Sequence, residues 1–190
     1  SCSLVGSEMC IRDSPNIIYV FPDQYRNQAM GFWRQDGFRD KVNFEGDPVH
    51  TPNLDAFARE SMVLSSAQSN CPLSSPHRAM LMTGAFPEKN GVPGNCHKDN
   101  RNGIPDSLIC FTDVLADAGY ETAYVGKTHW HRTEPLFDKE NNYVGTSEAP
   151  GGHYVYPYDT YIPEGRGRKS NKYWFQQLKD NHFNATAYSN

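Results

Sequence analysis

The sequence predicts an α/β fold in which a mostly parallel sheet is flanked by helices. Apolar runs of strand length recur along residues 15–131, and segments with helical apolar spacing lie between them. Such alternation is typical of parallel sheets, because a helix usually forms the crossover between neighbouring parallel strands. After residue 132 the pattern ends, and we expect mostly irregular segments there.

Three segments are predicted to be strands, namely residues 16–21, 62–64 and 120–125. Residues 16–21 are continuously apolar, which is typical of a strand buried on both faces. Residues 62–64 form a short strand that ends among small polar residues, and residues 120–125 form a strand that stops at Gly126. In a mostly parallel sheet the carboxyl ends of these strands lie at one edge.

Four segments are predicted to be helices: one that begins at Pro52, and three near residues 76–82, 107–118 and 173–178. Thr51 suits an N-cap and Pro52 the first helical position. Gly84 suits the C-cap of the second helix. Residues 151–161, rich in glycine, tyrosine and proline, are expected to be irregular.

The composition indicates a globular protein and excludes several function classes. Lysine and arginine number 18 against 22 aspartate and glutamate, which gives a net charge of −4. This charge argues against a dedicated nucleic-acid binder, and we predict no nucleic-acid partner. Because no apolar run approaches the length of a bilayer span, no membrane span is predicted either.

Residues 1–14 are interpreted as a non-native sequencing-adapter artefact. Residues 4–13 read LVGSEMCIRD, which is the in-frame translation of a transposase adapter, and such segments are set aside in fold reasoning. Any native signal peptide would then be lost with the true N-terminus, so the compartment is unknown and a bacterial periplasmic or secreted protein is the expectation. The spacing of the remaining cysteines, Cys71, Cys96 and Cys110, predicts buried or free thiols.

Three polar clusters follow the predicted strands: Asp23-Gln24, residues 74–78 and residues 127–129. In open α/β sheets, ligands bind beyond the carboxyl ends of the strands. Since parallel strands bring these ends to one edge, we expect the three clusters to form a catalytic site there.

Ser74 is expected to lie beside a helix N-terminus. Ser75 precedes a proline, which favours an extended conformation, and Pro76 can open a helix. The free N–H groups of such a terminus favour a bound anion, and Arg78 can offer its guanidinium to the same anion. An ordinary loop-to-helix junction with a surface arginine accounts for these residues about equally well.

Four motifs occur in a fixed order along residues 15–131. Three of them are P-N-I-I with a following aspartate at residues 15–23, T-P-N-L-D at residues 51–55 and G-K-x-H at residues 126–129. The fourth is S-x-P-x-R at residues 74–78, followed by L-x-T-G at residues 81–84. Together they resemble the signatures of type I sulfatases, a family with the alkaline-phosphatase-like α/β fold. Members are considerably longer, so residues 15–190 are expected to be the N-terminal part of a C-terminally truncated catalytic domain.

The resemblance implies that Ser74 is oxidised to formylglycine by a maturase of the anaerobic radical type. One hydroxyl of the hydrated aldehyde then attacks the sulfate sulfur and expels the alcohol, and deprotonation of the second releases sulfate. By the same resemblance Arg78 steadies the formylglycine, Lys127 binds a sulfate oxygen and His129 acts as a base. The implied substrate is a sulfated small molecule or glycan.

The resemblance also implies a divalent metal held by Asp23, Gln24 and the group derived from Ser74. Oxygen ligands of this kind suit Ca²⁺. The Asp-Gln pair departs from the commoner Asp-Asp pair and is similar to the branch that contains choline sulfatases and phosphonate monoester hydrolases. The remaining ligands and a general acid are expected beyond residue 190, so the chain alone is expected to be inactive.

Two other functions remain open from the sequence. One is a phosphonate monoester or phosphodiester hydrolase of the same superfamily, and the other is a non-catalytic carbohydrate-binding homologue. The basic residues 165–172 also allow two interpretations. A solvated loop is the more frequent role of such a run, and a surface for single-stranded nucleic acid or a sulfated glycan is the alternative.

Overall fold

A computed structural model describes residues 15–96, 102–131, 162, 164–177 and 187–189. The chain divides into two compact units, Ser1–Gln68 and Ser69–Asn190. The predicted artefact at residues 1–14 and the predicted irregular segment at residues 151–161 lie outside the described residues. Within the described part, no helix is both long and apolar enough to cross a membrane.

The described helices and strands are short. The α-helices are α1 (Pro52–Arg59), α2 (Ser74–Thr83), α3 (Pro87–Asn90) and α4 (Phe111–Asp117). The strands are β1 (Ala123–Lys127), β2 (Tyr173–Gln177) and β3 (Ala187–Ser189). Single 3-10 turns occupy Gly31–Arg34, Arg39–Lys41 and Arg166–Arg168.

The first unit is organised around Phe32, Trp33 and Ala58, which are buried together. Thr51 holds the N-cap position of α1 as predicted, but its side chain makes no capping bond to the helix backbone. Its hydroxyl instead accepts the Gly31 N–H at 2.7 Å and donates to Asp55 at 2.7 Å. A Cβ on Gly31 would lie 2.9 Å from the Val49 carbonyl oxygen, so this approach requires glycine. The T-P-N-L-D motif thus anchors the start of α1.

Two of the predicted strands are wrong. Residues 16–21 do not form a strand, and Ile18 is 87% exposed. Residues 62–64 also carry no strand assignment, and Val63 packs beside the core of the first unit. A strand exists only through its ladder of backbone hydrogen bonds. An apolar run shows that a segment can be buried, but it does not supply a hydrogen-bonded neighbour.

The sheet of the second unit has the order β1-β2-β3. β1 pairs with β2 in parallel, and Val125 lies opposite Phe175. β2 pairs with β3 antiparallel. The predicted strand at 120–125 is confirmed with a shift toward Lys127, because Tyr120 still donates its N–H to Leu115 in the turn that ends α4.

The helix predicted near residues 173–178 is wrong, because residues 173–177 form β2. Exposure alternates along this strand: Trp174 and Gln176 are buried, while Tyr173 and Phe175 are exposed. Period-two burial and aromatic side chains are typical of strands. The sequence therefore contained the correct signal, but a short window allowed both periods.

The core of the second unit is formed by residues of α2, of β2 and of the segments between them. It consists of Ala79, Met82, Val92, Cys96, Ile104, Cys110, Trp130, Ile162 and Trp174. Trp130 and Trp174 meet edge to face at 6.3 Å, with Tyr124 packed against both. Aromatic contacts of this geometry stabilise a core beyond the area that they bury.

The three described cysteines are free thiols, as predicted. Cys96 and Cys110 are buried, and Cys71 is partly exposed. Burial raises the pKa of the Cys110 thiol to about 11, so this thiol stays protonated at neutral pH. It occupies the N-cap of α4, where the Asp113 carboxylate accepts the Cys110 N–H at 2.7 Å.

The interpretation of residues 165–172 as a solvated loop is wrong for two of its four cations. Arg168 is 4% exposed and Lys169 2%. The Lys169 ammonium donates to the Pro105 and Leu108 carbonyl oxygens at 2.7 and 3.2 Å. Arg168 lies over the Trp174 ring and donates to the Ile162 carbonyl. Backbone carbonyls therefore replace the water that a lysine or arginine usually keeps.

Candidate active site

Ser74 is the first residue of α2, and its side chain is partly buried. The helix thus begins two residues before Pro76, where the sequence placed its start. Pro76 is the third helical residue, and its missing N–H is one that the first turn leaves without an intrahelical partner in any case. Gly84 ends the helix in the left-handed conformation with φ 64°, as predicted.

His129 lies directly beyond the carboxyl end of β1 and is fully buried. Its Nδ1 atom lies 3.1 Å from the Ser74 hydroxyl oxygen, although 55 residues separate the two along the chain. Its Nε2 atom lies 3.0 Å from the Cys96 carbonyl oxygen. The His129 backbone has φ 49°, a left-handed conformation that histidine adopts more readily than most residues.

These two contacts determine the tautomer of the neutral His129 ring. A carbonyl oxygen can only accept a hydrogen bond, so Nε2 must carry the proton that points at Cys96. In the neutral ring Nδ1 is then the acceptor, and the Ser74 hydroxyl donates to it. A bare imidazole nitrogen facing an O–H group is the arrangement of a general base beside a nucleophile.

Arg78 connects α2 to the end of β1. Its side chain is 5% exposed, and one guanidinium nitrogen donates to the Lys127 carbonyl oxygen at 2.8 Å. The Tyr124 hydroxyl donates to the same oxygen. The Lys127 side chain is partly exposed at this edge. The second unit thus joins α2, which carries Ser74 and Arg78, to the segment that carries Lys127 and His129.

Beyond β1, Thr128 is held by β2. The Gln176 amide donates to the Thr128 hydroxyl at 3.0 Å, and its oxygen accepts the Ile162 N–H at 2.9 Å. Both side chains are fully buried. Since Thr128 lies between Lys127 and His129, this bond fixes the backbone that carries two of the predicted site residues.

Asp23 and Gln24 belong to the first unit, where both are exposed. Gln24 adopts the left-handed conformation with φ 57°. A carboxylate and an amide oxygen are hard donors of the kind that Ca²⁺ prefers, so the chemistry of this pair fits the predicted metal. Their role as metal ligands stays a prediction.

The stability of the folded protein is expected to depend on pH through His77. Burial, and then the neighbouring Arg78 charge, lower the pKa of His77 below its ordinary value of 6.5. Near pH 6.5 the His77 side chain of the unfolded chain binds a proton more readily than that of the folded protein. The free energy of unfolding therefore falls as the pH falls through that region. We expect His77→Gln to lose less stability than the unmodified protein between pH 7.5 and 5.5, as measured by urea unfolding. Parallel stability profiles would contradict this expectation.

The family model described as Sulfatase matches residues 15–184. This chain belongs to the sulfatase family. The match covers both units and all four motifs that carried the resemblance in the sequence. The predicted fold class is confirmed: solved sulfatase structures match the chain, and the second unit has the parallel strand pair and flanking helices of this alkaline-phosphatase-like fold.

Several similar proteins carry sulfatase names. An endo-4-O-sulfatase of Bacteroides thetaiotaomicron is 56% identical over 166 residues, which are 86% of this chain and 31% of that protein. The N-acetylgalactosamine-6-sulfatase of Homo sapiens is 38% identical over 157 residues, 76% of this chain and 27% of that protein. A solved structure from work on glycosaminoglycan metabolism by Bacteroides thetaiotaomicron has a TM-score of 0.75 at 54% identity, over 86% of this chain and 32% of that chain. The chain thus spans about a third of the length of the relatives it matches.

Sequence reasoning missed Ser75, Asn95 and Cys96. Ser75 is fully buried in the first turn of α2 and bonds to both of the other residues. Its position inside S-x-P-x-R was visible, but the motif leaves that position variable. The sequence could not reveal the contribution of Cys96, because a backbone carbonyl carries no residue-specific signal.

Proposed function

We propose that the protein hydrolyses sulfate esters of a glycan, using a formylglycine made from Ser74. The observation that carries this proposal is the 3.1 Å contact between the Ser74 hydroxyl and Nδ1 of His129. In the neutral ring this contact supports the proposal, because Nδ1 is then an acceptor beside the atom that would become the nucleophile. Membership of the sulfatase family supports the reaction class.

Each site residue of the second unit then has a separate proposed role beside the group at position 74. His129 takes a proton from the hydroxyl that replaces Ser74 Oγ, since its bare Nδ1 faces that atom. Arg78 holds α2 against β1 and adds positive charge beside the modified residue. Lys127 follows β1 with its partly exposed side chain and is proposed to bind a sulfate oxygen.

Two groups complete the proposed chemistry. Formylglycine supplies, when hydrated, a nucleophilic hydroxyl and a second hydroxyl whose deprotonation releases sulfate. A divalent cation held by Asp23 and Gln24 would supply Lewis acidity of the kind that lowers the pKa of a bound hydroxyl. The exposed oxygens of this pair suit such a cation.

A 4-O-sulfated glycosaminoglycan is the proposed substrate class. The relative that is 56% identical over 166 residues is named an endo-4-O-sulfatase, and its name is the reason for choosing an internal 4-O-sulfate. The relatives named 6-O- or 6-sulfatases are less similar, at 32% and 38% identity. A phosphonate monoester hydrolase is the second candidate, because Gln24 stands where an Asp-Asp pair is commoner.

The first test is mass spectrometry of the Ser74 peptide after coexpression with an anaerobic radical-type maturase. We expect the peptide to lose two hydrogen atoms, and Ser74→Ala to remain unchanged as the matched control. An unmodified Ser74 in every preparation favours the carbohydrate-binding alternative instead.

The second test compares substrates on the modified full-length protein. We expect faster sulfate release from a 4-O-sulfated than from a 6-O-sulfated glycosaminoglycan, measured by ion chromatography. An aryl sulfate and an aryl phosphonate of the same leaving group separate the two hydrolase candidates. Faster turnover of the phosphonate contradicts the sulfatase proposal.

A further inference from the structure

Ser75 links the first turn of α2 to the segment that contacts His129. Its side chain is fully buried, and its hydroxyl oxygen accepts the Cys96 N–H at 3.0 Å. Its own backbone N–H donates to the Asn95 side-chain oxygen at 3.0 Å. Two hydrogen bonds from one residue therefore hold residues 95–96 against the helix that begins with Ser74.

The Cys96 carbonyl in turn holds the His129 ring, because it accepts the Nε2–H at 3.0 Å. The chain of contacts closes on itself: Ser75 holds Cys96, Cys96 holds His129, and His129 faces Ser74, the residue next to Ser75. Every side chain in this circuit except that of Ser74 is buried. Because these side chains are buried, water does not readily replace an acceptor that moves away. A donor left without its acceptor then costs free energy.

We propose that Ser75 is a positioning residue that fixes the tautomer of His129 through the Cys96 backbone. This inference rests on the proposed function, in which Nδ1 of His129 acts on the group at position 74. Loss of the Ser75 hydroxyl removes the acceptor of this Cys96 N–H bond, and the Cys96 carbonyl can then move away from Nε2. The ring then divides between two tautomers, and in one of them the proton sits on the nitrogen that must accept.

The choice of tautomer matters because only a bare Nδ1 can take a proton from position 74. Partners that orient a metal-bound histidine typically change affinity or activity by one to two orders of magnitude when removed, and we take the same range for the partner that orients His129. Ser75 acts on His129 through the Cys96 carbonyl rather than by binding the ring, so the effect is placed at the lower end of that range. Substrate affinity is not expected to change, since Ser75 is fully buried in the first turn of α2.

The variants are Ser75→Ala, which removes the hydroxyl, and Ser75→Thr, which restores it. Thr112→Val is the matched control: Thr112 is also buried, and its hydroxyl donates to the Lys169 carbonyl at 2.7 Å, in contacts separate from the circuit. Nitrogen-15 NMR of the His129 ring reports the tautomer before any maturation of Ser74. Steady-state kinetics on the modified full-length protein, normalised to formylglycine content, report kcat and KM separately.

We expect the His129 ring to show the Nε2–H tautomer in the protein without substitutions and a mixture of tautomers in Ser75→Ala. The kcat of Ser75→Ala is expected to fall about tenfold at an unchanged KM, with recovery in Ser75→Thr. Thr112→Val is expected to lose stability without either change.

Three outcomes separate this inference from the proposed function. An unchanged tautomer in Ser75→Ala overturns the inference whether or not the enzyme is active. An equal tautomer change in Thr112→Val also overturns it, because the effect is then general loosening. A tautomer change in Ser75→Ala alone supports the positioning role. If the protein without substitutions then releases no sulfate, the proposed function is rejected while the positioning role stands.

Discussion

His129→Asn is expected to lower the kcat of sulfate release about 10²- to 10⁴-fold, the usual contribution of a general base. The substitution removes the nitrogen that lies 3.1 Å from the Ser74 hydroxyl. Asparagine also tolerates left-handed backbone, so the φ of 49° at this position adds little strain in the variant. The loss should therefore reflect chemistry rather than folding. The measurement is sulfate release by the full-length protein at equal formylglycine content.

His50→Asn serves as the control for this substitution. His50 is an exposed histidine of the first unit, and we expect its variant to keep full activity. Thermal unfolding of His129→Asn should confirm that the protein stays folded at the assay temperature. A loss of less than about threefold in kcat contradicts the assignment of His129 as the base.

Lys169→Met is expected to destabilise the folded protein by about 3 kcal/mol, because it removes the buried charged donor of two partly buried carbonyl oxygens. Those oxygens belong to Pro105 and Leu108, and Lys169 itself is 2% exposed. Methionine keeps the length of the aliphatic stem, so the packing around it changes little. The free energy of unfolding from urea titration measures the loss.

Lys172→Met is the matched control for the buried lysine. Lys172 pairs with Glu121 on the surface, where both side chains are largely exposed. Pairs of this kind contribute little to stability, and we expect no measurable change. Equal losses in the two variants would mean that the charge, and not its burial, sets the effect.

The elements that the sequence predicted well have strong local signals. Helix α2 has a proline in its first turn and Gly84 at its end, and α1 follows Thr51-Pro52. Each signal acts within a few residues of the boundary that it sets. The start of α4 was misplaced because Cys110, a poor N-cap by propensity, takes that position with the help of Asp113.

Strand prediction failed where pairing depends on distant residues. Residues 16–21 are as apolar as a buried strand, yet Ile17 and Val20 are 60% and 78% exposed. Residues 173–177 looked helical in a short window, yet they pair with β1. Hydrophobic period shows which face of a segment is buried, but pairing is a property of two segments.

The sequence indicated the side chains of the candidate site, but not the backbone groups that hold them. Ser74, Arg78, Lys127 and His129 have side chains whose chemistry is visible in a sequence. The Cys96 carbonyl and the Lys127 carbonyl, which hold His129 and Arg78, are equivalent to every other carbonyl in the chain until the fold brings them together. The positions of these groups depend on how α2, Cys96 and the end of β1 come together.

The bond between Gln176 and Thr128 has a consequence for the order of assembly. Residues 128–172 separate the two segments that form the parallel pair β1-β2. Long closures of this kind are slow to form. On the ribosome, the nascent polypeptide must therefore extend past Gln176 before the segment next to His129 can be locked. Until then the contact between His129 and Ser74 lacks the support that β2 gives through Thr128.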